Sequence, residues 1–92
     1  MIECVILHNE KENRFETEVD GQFAYVDYIP YEGGLDFTHT WVPREIGGKG
    51  VAAALVDHAL QYARDNHLKV IASCPYVKAY VQKHDEYKIL CQ

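Results

Sequence analysis

Cys74 is the residue whose type and position best suit nucleophilic chemistry. It follows an apolar run, Leu68 to Ala72, that predicts a short strand, and it precedes Pro75, which is favoured at the first position of a helix. A thiol at such an N-cap lies beside free backbone amides and the positive end of the helix dipole, which lower its pKa and favour the thiolate. Two interpretations stay open: Cys74 acts as a nucleophile, or it is a capping or core cysteine without a chemical role.

The second feature that could carry chemistry is the segment 47–50, Gly-Gly-Lys-Gly, which opens directly into a predicted helix. The first amides of a helix have no partner within it, so together with the dipole they form a site for phosphate oxygens, and Lys49 adds a positive charge. A P-loop would have serine or threonine after the lysine, but Gly50 stands there, and the dinucleotide pattern GxGxxG does not match either. The segment therefore predicts an anion site of another type.

Alternating apolar and polar residues predict the strands that position these features. We expect a strand in the apolar run 2–7, buried on both faces, and an antiparallel strand at Arg14–Val19, which Asp20-Gly21 joins to the next strand by a type I′ turn. Two further strands are expected at 22–29 and 35–42. In the last one we expect Leu35, Phe37, His39 and Trp41 on one face and Asp36, Thr38, Thr40 and Val42 on the other.

The pattern changes to helical spacing at Val51 and predicts a helix that ends near Asn66-His67, where asparagine tolerates the left-handed conformation. The strand at 68–72 then runs parallel to the strand at 35–42, because a strand–helix–strand crossover is right-handed. A second helix follows Cys74, with Val77, Tyr80, Val81 and His84 on one face. The predicted fold class is mixed α/β (α+β): a four-stranded antiparallel meander, a long helix after a glycine-rich loop, a parallel fifth strand and a C-terminal helix.

Composition restricts the classes of function. A chain of 92 residues, 48% hydrophobic and 25% charged, predicts one small globular domain spanning 1–92. The net charge of −5 and the scattered basic residues disfavour nucleic acid. Neither a signal peptide nor a membrane-spanning run is expected, and Cys4, Cys74 and Cys91 form no C-x-x-C pair, which favours the reducing cytoplasm and disfavours a metal site.

The order of these features resembles the small, single-domain branch of the GNAT superfamily of acetyl-CoA-dependent N-acetyltransferases. The superfamily's acyl-CoA motif is Gln or Arg, two variable residues, Gly, one variable residue, then Gly or Ala. Gly50 and Ala52 match its last two fixed positions, whereas Gly47 stands in place of Gln or Arg. The wider superfamily has helices after the first strand, where this chain has only the turn HNEKEN, so the acceptor side should be open, or completed by a second subunit or by the substrate protein.

The resemblance implies acetyl-CoA as cosubstrate, no metal, and an amine acceptor that is a small amine, a peptide or a protein. The implied CoA site comprises Trp41, Val42, Gly47, Gly48, Lys49, Gly50, Val51, Ala52 and Ser73. The acyl thioester would lie beside Cys74, which would carry the acetyl group briefly or position its carbonyl.

Direct transfer needs a base for the ammonium and an acid for the departing thiolate. His39 and His84 are the candidate bases, although His39 would equally suit the core and His84 lies about 15 Å along a continuous helix from Cys74. Tyr76 and Tyr80 are the candidate acids. A second function from another class stays open: an acyl-CoA-binding module that senses or delivers its ligand with little or no turnover.

Overall fold

A computed structural model describes residues 3–91 of the chain. Its strands and helices follow one another as β1 (Leu7–Asn9), β2 (Arg14–Val19), β3 (Gln22–Tyr31), β4 (Gly34–Trp41), α1 (Val51–Asp65), β5 (Lys69–Ala72) and α2 (Pro75–Lys83). A 3₁₀ turn (Arg44–Ile46) precedes α1, and a 3₁₀ segment (Asp85–Leu90) follows α2. Within the described residues, no helix is long and apolar enough to cross a membrane.

The five strands form one sheet in chain order, β1-β2-β3-β4-β5. The first four are antiparallel neighbours, and β5 pairs with β4 in parallel. Asp20 and Gly21 have positive φ angles of 51° and 76°, as a type I′ turn requires. The predicted fold class, with its meander, long helix, parallel fifth strand and C-terminal helix, is therefore confirmed.

The first strand is not where the sequence predicts it. A strand over 2–7 buried on both faces is wrong: β1 begins at Leu7 on the edge of the sheet, and Val5 and Leu7 are 78% and 59% exposed. Ile2 lies outside the described residues. The Thr17 hydroxyl donates to the Val5 carbonyl at 2.7 Å, so a side chain takes an acceptor that a longer ladder would use. Ile6 packs against the core, but its neighbours Val5 and Leu7 are exposed, so this apolar run does not mean burial on both faces.

A β-bulge interrupts β4. Asp27 pairs with His39, and the next residue, Tyr28, pairs with Phe37. Thr38 is therefore an extra residue in β4 that has no pairing partner in β3. A single inserted residue moves every later side chain of the strand to the opposite face of the sheet.

The bulge reverses the predicted faces of the second half of β4. Leu35 and Phe37 are buried, as expected, but beyond the bulge Thr40 pairs with buried Val26 while His39 and Trp41 are exposed on the other side. The prediction that His39 and Trp41 share a face with Leu35 and Phe37 is wrong, because it assumed unbroken alternation.

Both helices pack on one face of the sheet, which we call the core face. The buried residues of the core include Phe15, Val26, Leu35, Phe37, Ile46, Val51, Leu55, Val56, Ala59, Leu60, Ala63, Val70, Val77, Tyr80 and Val81. The predicted apolar stripe of α1 is among them. This helix ends one residue differently from the prediction, since Asn66 has φ −103° and the left-handed residue is His67, with φ 58°.

The opposite face, which we call the outer face, carries side chains that are largely in solvent. Its exposed apolar members are Leu7, Phe23, Ile29, Trp41 and Ile71, each at least 38% exposed.

Candidate functional site

The residues that lead into the glycine-rich loop are fixed to the core. Pro43 is buried, the 3₁₀ turn follows, and Ile46 is 1% exposed within the core cluster. The Gly47 amide donates to the Arg44 carbonyl at 3.0 Å and closes the turn. Because that amide is already used, only the later amides of the loop are left for a ligand.

The start of α1 has three backbone N–H groups without acceptors in the helix, those of Val51, Ala52 and Ala53. The first intrahelical bond runs from the Ala54 N–H to the Gly50 carbonyl at 3.0 Å, and no side chain caps the helix. Gly50, the N-cap, has φ 85°, a left-handed angle that glycine adopts without strain. The first turn contains no acidic residue, so the positive end of the dipole is left for an anion.

A groove of about 320 Å³ lies against these amides. It is lined by Val42, Ile46, Gly47, Gly48, Gly50, Val51, Ala52, Ala53 and Tyr76. Six of these nine are residues that the resemblance implies for CoA binding. The structure therefore brings the loop, the residue after β4 and the first turn of α2 to one surface.

Lys49 is directed away from this groove. Its ammonium lies 3.1 Å from the carboxylate of Asp20 in the β2–β3 turn, and both side chains are largely exposed. An exposed ion pair of this kind contributes little free energy, so the lysine can exchange partners at small cost.

The groove adjoins an opening between β4 and β5. The two strands pair from Gly34 with Lys69 to Phe37 with Ala72, and the Cys74 amide then donates to the Phe37 carbonyl at 2.8 Å. From that point β4 continues to Trp41 while the chain turns into α2. The segment 39–41 is thus paired with β3 on one side and unpaired with β5 on the other.

Cys74 lies at the closed end of this opening, on the core face. It is 4% exposed, it is the N-cap of α2, and its sulfur is 3.4 Å from the hydroxyl of Thr40. The preceding Ser73 is exposed. Thr40 could not be predicted from the sequence, because the residue pattern gives no sign of the bulge that turns Thr40 toward Cys74.

His39 and Trp41 lie on the outer face, across the sheet from Cys74. His39 pairs with Asp27 in the β3–β4 register and its ring centre is 6.3 Å from that of Tyr25; Trp41 pairs with Tyr25 and is 48% exposed. His39 is therefore not the core histidine that the sequence allowed. The structure does not bring it together with the thiol.

His84 is also separated from Cys74, since the two residues flank opposite ends of α2. Its ring stacks on Tyr80 with centroids 3.9 Å apart, and its Nδ1 is 2.8 Å from the Tyr80 carbonyl. These contacts bind His84 to its own helix.

The Tyr80 hydroxyl is held by Asp57 of α1. Tyr80 and Tyr87 donate to the same Asp57 oxygen at 3.0 and 2.8 Å, which joins α1, α2 and the C-terminal 3₁₀ segment. Burial would raise the pKa of Asp57, but hydrogen bonds from Tyr87, Gln61 and Tyr80 outweigh it and lower that pKa. Burial and the Asp57 carboxylate raise the pKa of Tyr87 to about 12, and raise that of Tyr80 further. Tyr80 thus packs in the core, and its hydroxyl proton is used in the hydrogen bond to Asp57.

Tyr76 is the tyrosine that faces the groove. It is 41% exposed, and partial burial raises its pKa above the ordinary tyrosine value, at which the phenol is already protonated at neutral pH. The sequence did contain a signal for this position: a tyrosine two residues after Cys74 lies in the first turn of α2, which a parallel β5 places beside the end of β4.

A family model described as GCN5-related N-acetyl-transferase matches residues 14–90. Protein NATD1 of Gallus gallus is 30% identical over 80 residues, and Protein NATD1 of Xenopus tropicalis is 26% identical over 81; each alignment covers 84% of this chain and 73% of the relative.

Among solved structures, the fold matches an NMR solution structure from Staphylococcus aureus, described as that of a GCN5-like candidate N-acetyltransferase. The TM-score is 0.75 at 32% sequence identity, covering all of this chain and 91% of the other. Both the sequence and the backbone arrangement thus point to the same group of proteins.

Proposed function

Because this chain belongs to the GCN5-related N-acetyltransferase family, we propose that it binds acetyl-CoA and transfers the acetyl group to an amine. In this proposal, residues 1–92 act as one minimal catalytic domain in the cytoplasm, where the free thiols of Cys4, Cys74 and Cys91 suit the reducing conditions.

The observation that carries the proposal is the uncapped start of α1 beside an open groove. The amides of Val51, Ala52 and Ala53 have no acceptor in the helix, no acidic side chain competes for them, and small side chains leave the backbone accessible. These properties suit the pyrophosphate of CoA. The residues present therefore fit the cosubstrate, with Gly48 and Gly50 allowing close approach.

The opening between β4 and β5 suits the pantetheine arm. Its walls would be the unpaired edge of β4 near Trp41 and Val42, and the chain around Ser73. The free N–H and C=O groups of a strand edge can pair with the amides of an extended ligand. An arm that starts at the loop and follows this edge would deliver its end to Cys74.

Acetyl-CoA supplies an activated thioester, and the chain must manage two protons. As the amide N–C bond forms and the thioester C–S bond breaks, the ammonium loses two protons: the first goes to a base, and the second restores the acid that has given its own proton to the departing sulfur. We assign the first proton to His39, which faces solvent on the side where an amine could arrive. The second is assigned to Tyr76, whose phenol is protonated in the groove. Cys74 would position the carbonyl or carry the acetyl group.

The test is direct titration of the purified protein with acetyl-CoA by calorimetry, followed by a thiol-release assay over small amines, peptides and polyamines. Saturable binding together with amine-dependent thiol release would support the proposal. Absence of acyl-CoA binding at millimolar ligand would refute it. A reaction without amine corrects for thiols of the protein and for simple hydrolysis.

A specific observation favours the second candidate, an acyl-CoA-binding module without efficient turnover. His39 lies across the sheet from Cys74 and His84 lies at the far end of α2, so neither imidazole is beside the thiol. Gly47 also lacks the side chain that the family carries at the start of its motif. Tight binding combined with thiol release no faster than in buffer, over the whole amine panel, would establish this alternative.

A further inference from the structure

The outer face carries five exposed apolar side chains among its charged residues. Leu7, Phe23, Ile29, Trp41 and Ile71 are 59%, 45%, 59%, 48% and 38% exposed, and they come from four of the five strands. Five strands about 4.8 Å apart span about 19 Å. Apolar side chains that recur over that width, with Asp36 between Ile29 and Ile71, form a mixed apolar and acidic face that suits contact with a partner.

The polar residues of this face give it a negative charge. Arg14 is committed to Asp27, with Nε 3.1 Å from the carboxylate, and its guanidinium lies 4.2 Å from the centre of the Tyr25 ring. Among residues 3–91, Glu16 and Glu18 of β2 and Asp36 of β4 form no ion pair. Lys69 of β5, which alternates with buried Val70, is a second cation on this face, so the strands place four carboxylates here against two cations. An apolar surface with this charge is complementary to a partner that is both cationic and apolar.

Asp36 provides the most specific point of complementarity. Its Oδ1 is buried and has no hydrogen-bond partner within residues 3–91. In the sheet register it lies between Ile29 of β3 and Ile71 of β5, one residue before the pairing of β4 and β5 ends at Phe37. A buried acceptor without a donor is costly, and a lysine ammonium brings three donors. The half-buried carboxylate of Asp36 therefore lies beside the point where the β4–β5 pairing ends and the opening begins.

We propose that the outer face binds a basic, amphipathic segment of another polypeptide, and that this segment presents the lysine that is acetylated. The acceptor role rests on the proposed function, whereas the docking does not require turnover. A small amine would cover only part of a surface about 19 Å wide. A second copy of the chain would bring Glu16, Glu18 and Asp36 against the same acidic face, which like-charge repulsion disfavours.

Binding can be measured through Trp41, because it is the only tryptophan of the chain and lies on the outer face. The probe is a short, acetyl-capped peptide of alternating lysine and leucine, titrated without acetyl-CoA while tryptophan emission is followed. Matched probes replace all lysines by glutamate or all leucines by serine, and spermine represents a small polycation. We expect saturable binding of the lysine–leucine peptide alone.

Paired variants test the surface. Ile29→Ser removes an apolar side chain from the outer face, and Ile89→Ser removes one that is 80% exposed elsewhere. Glu18→Gln and Glu86→Gln form the corresponding pair for charge. Since burial of one isoleucine side chain corresponds to about tenfold in affinity, we expect Ile29→Ser to weaken peptide binding about tenfold and Ile89→Ser to leave it unchanged. Glu18→Gln should weaken it more than Glu86→Gln does, and less so as salt is added.

The outcomes are separable from those of the acetyl-CoA experiments. The docking proposal is overturned if the peptide does not bind, if spermine binds as well as the peptide, if the control variants lose as much affinity, or if sedimentation shows self-association through this face that Ile29→Ser abolishes. Peptide that binds but stays unacetylated, while a small amine is acetylated, overturns the acceptor role. If acetyl-CoA itself does not bind, the proposed function fails and the peptide titration still decides the docking.

Discussion

Replacing Ala52 by glutamate should make the protein more stable and its affinity for acetyl-CoA much lower. Ala52 is the second residue of α1, it lines the groove, and no acidic residue lies in that first turn. A carboxylate there interacts favourably with the helix dipole, by about 0.3–1 kcal/mol. It would also occupy the position that the pyrophosphate is proposed to take. Ala52 is preferred to Gly50 because the left-handed φ of 85° at Gly50 would add backbone strain to any substitution.

The loss of affinity follows from the charge. With an effective dielectric constant of about 40 in an open groove, two unit charges about 6 Å apart repel by about 1.4 kcal/mol. A pyrophosphate with two charges would thus lose about 3 kcal/mol, or about a hundredfold in Kd. Ala52→Gln has nearly the same bulk without the charge, so the ratio of the two variants isolates the electrostatic effect. Ala54→Glu adds the same charge on the same helix but outside the groove lining, so it should weaken binding less than Ala52→Glu does.

The assay is calorimetric titration with acetyl-CoA at two ionic strengths, combined with thermal unfolding of the free proteins. The reasoning requires opposite signs: a higher Tm and a weaker Kd for Ala52→Glu, with the gap to Ala52→Gln narrowing as salt is added. Equal affinities of Ala52→Glu and Ala52→Gln would refute it, because a phosphate bound at the start of α1 would be repelled by the glutamate carboxylate.

Three other predictions follow from the described residues. Gly47→Arg should tighten acetyl-CoA binding about tenfold, because it adds a charged hydrogen-bond donor. The site accepts a side chain, since Gly47 has an ordinary φ of −66° and the nearest atom to a new Cβ would be the Arg44 carbonyl oxygen at 3.3 Å. Gly47→Met is the uncharged control in the same titration. Cys74→Ser should keep that affinity, and intact-mass analysis that finds no acetyl adduct specific to Cys74 in the wild type would exclude a covalent route. Burial lowers the pKa of His8 from 6.5, so near that pH the unfolded state binds more protons than the folded state. The contribution of His8 to stability is therefore fully present above about pH 7 and is lost as the pH falls through 6.5 toward the folded-state pKa. Urea unfolding across that window should show a smaller loss of stability in His8→Gln than in the wild type.

The sequence predicted those parts of the fold in which local pattern and tertiary burial agree. The bounds of β2 match the prediction, and the apolar stripe that starts at Val51 is the buried face of α1. The turn at Asp20-Gly21 was predictable because few residues accept two consecutive positive φ angles. In each case the physical cause acts within a few residues of the chain, so a single sequence contains it.

The first strand failed for a different reason. Continuous apolar residues were taken as evidence of burial on both faces, but β1 is an edge strand and Leu7 is 59% exposed. Hydrophobicity records that a residue contacts something apolar, in this chain or in another molecule. The same sequence pattern is therefore produced by a buried core strand and by an exposed surface that binds a partner.

The candidate site was half predictable. The glycine-rich loop and the N-terminus of α1 are adjacent in the chain, and the structure places them as the sequence implied. The contact of Cys74 with Thr40 joins residues 34 positions apart and depends on the extra residue at Thr38. No local pattern reports such a bulge, because the hydrogen-bond register of two strands is set by the whole sheet.

That bulge also limits the chemistry that the chain can perform. It turns Thr40 toward the buried thiol of Cys74 and His39 toward solvent, so the two candidate catalytic residues face opposite sides of β4. A nucleophile and its base need hydrogen-bond contact, which this arrangement denies to Cys74 and His39. His39 can act only on a group that arrives at the outer face, where the apolar and acidic residues lie. If both residues contribute to transfer, the amine must come from the outer face and the thioester must lie between them, in the opening between β4 and β5.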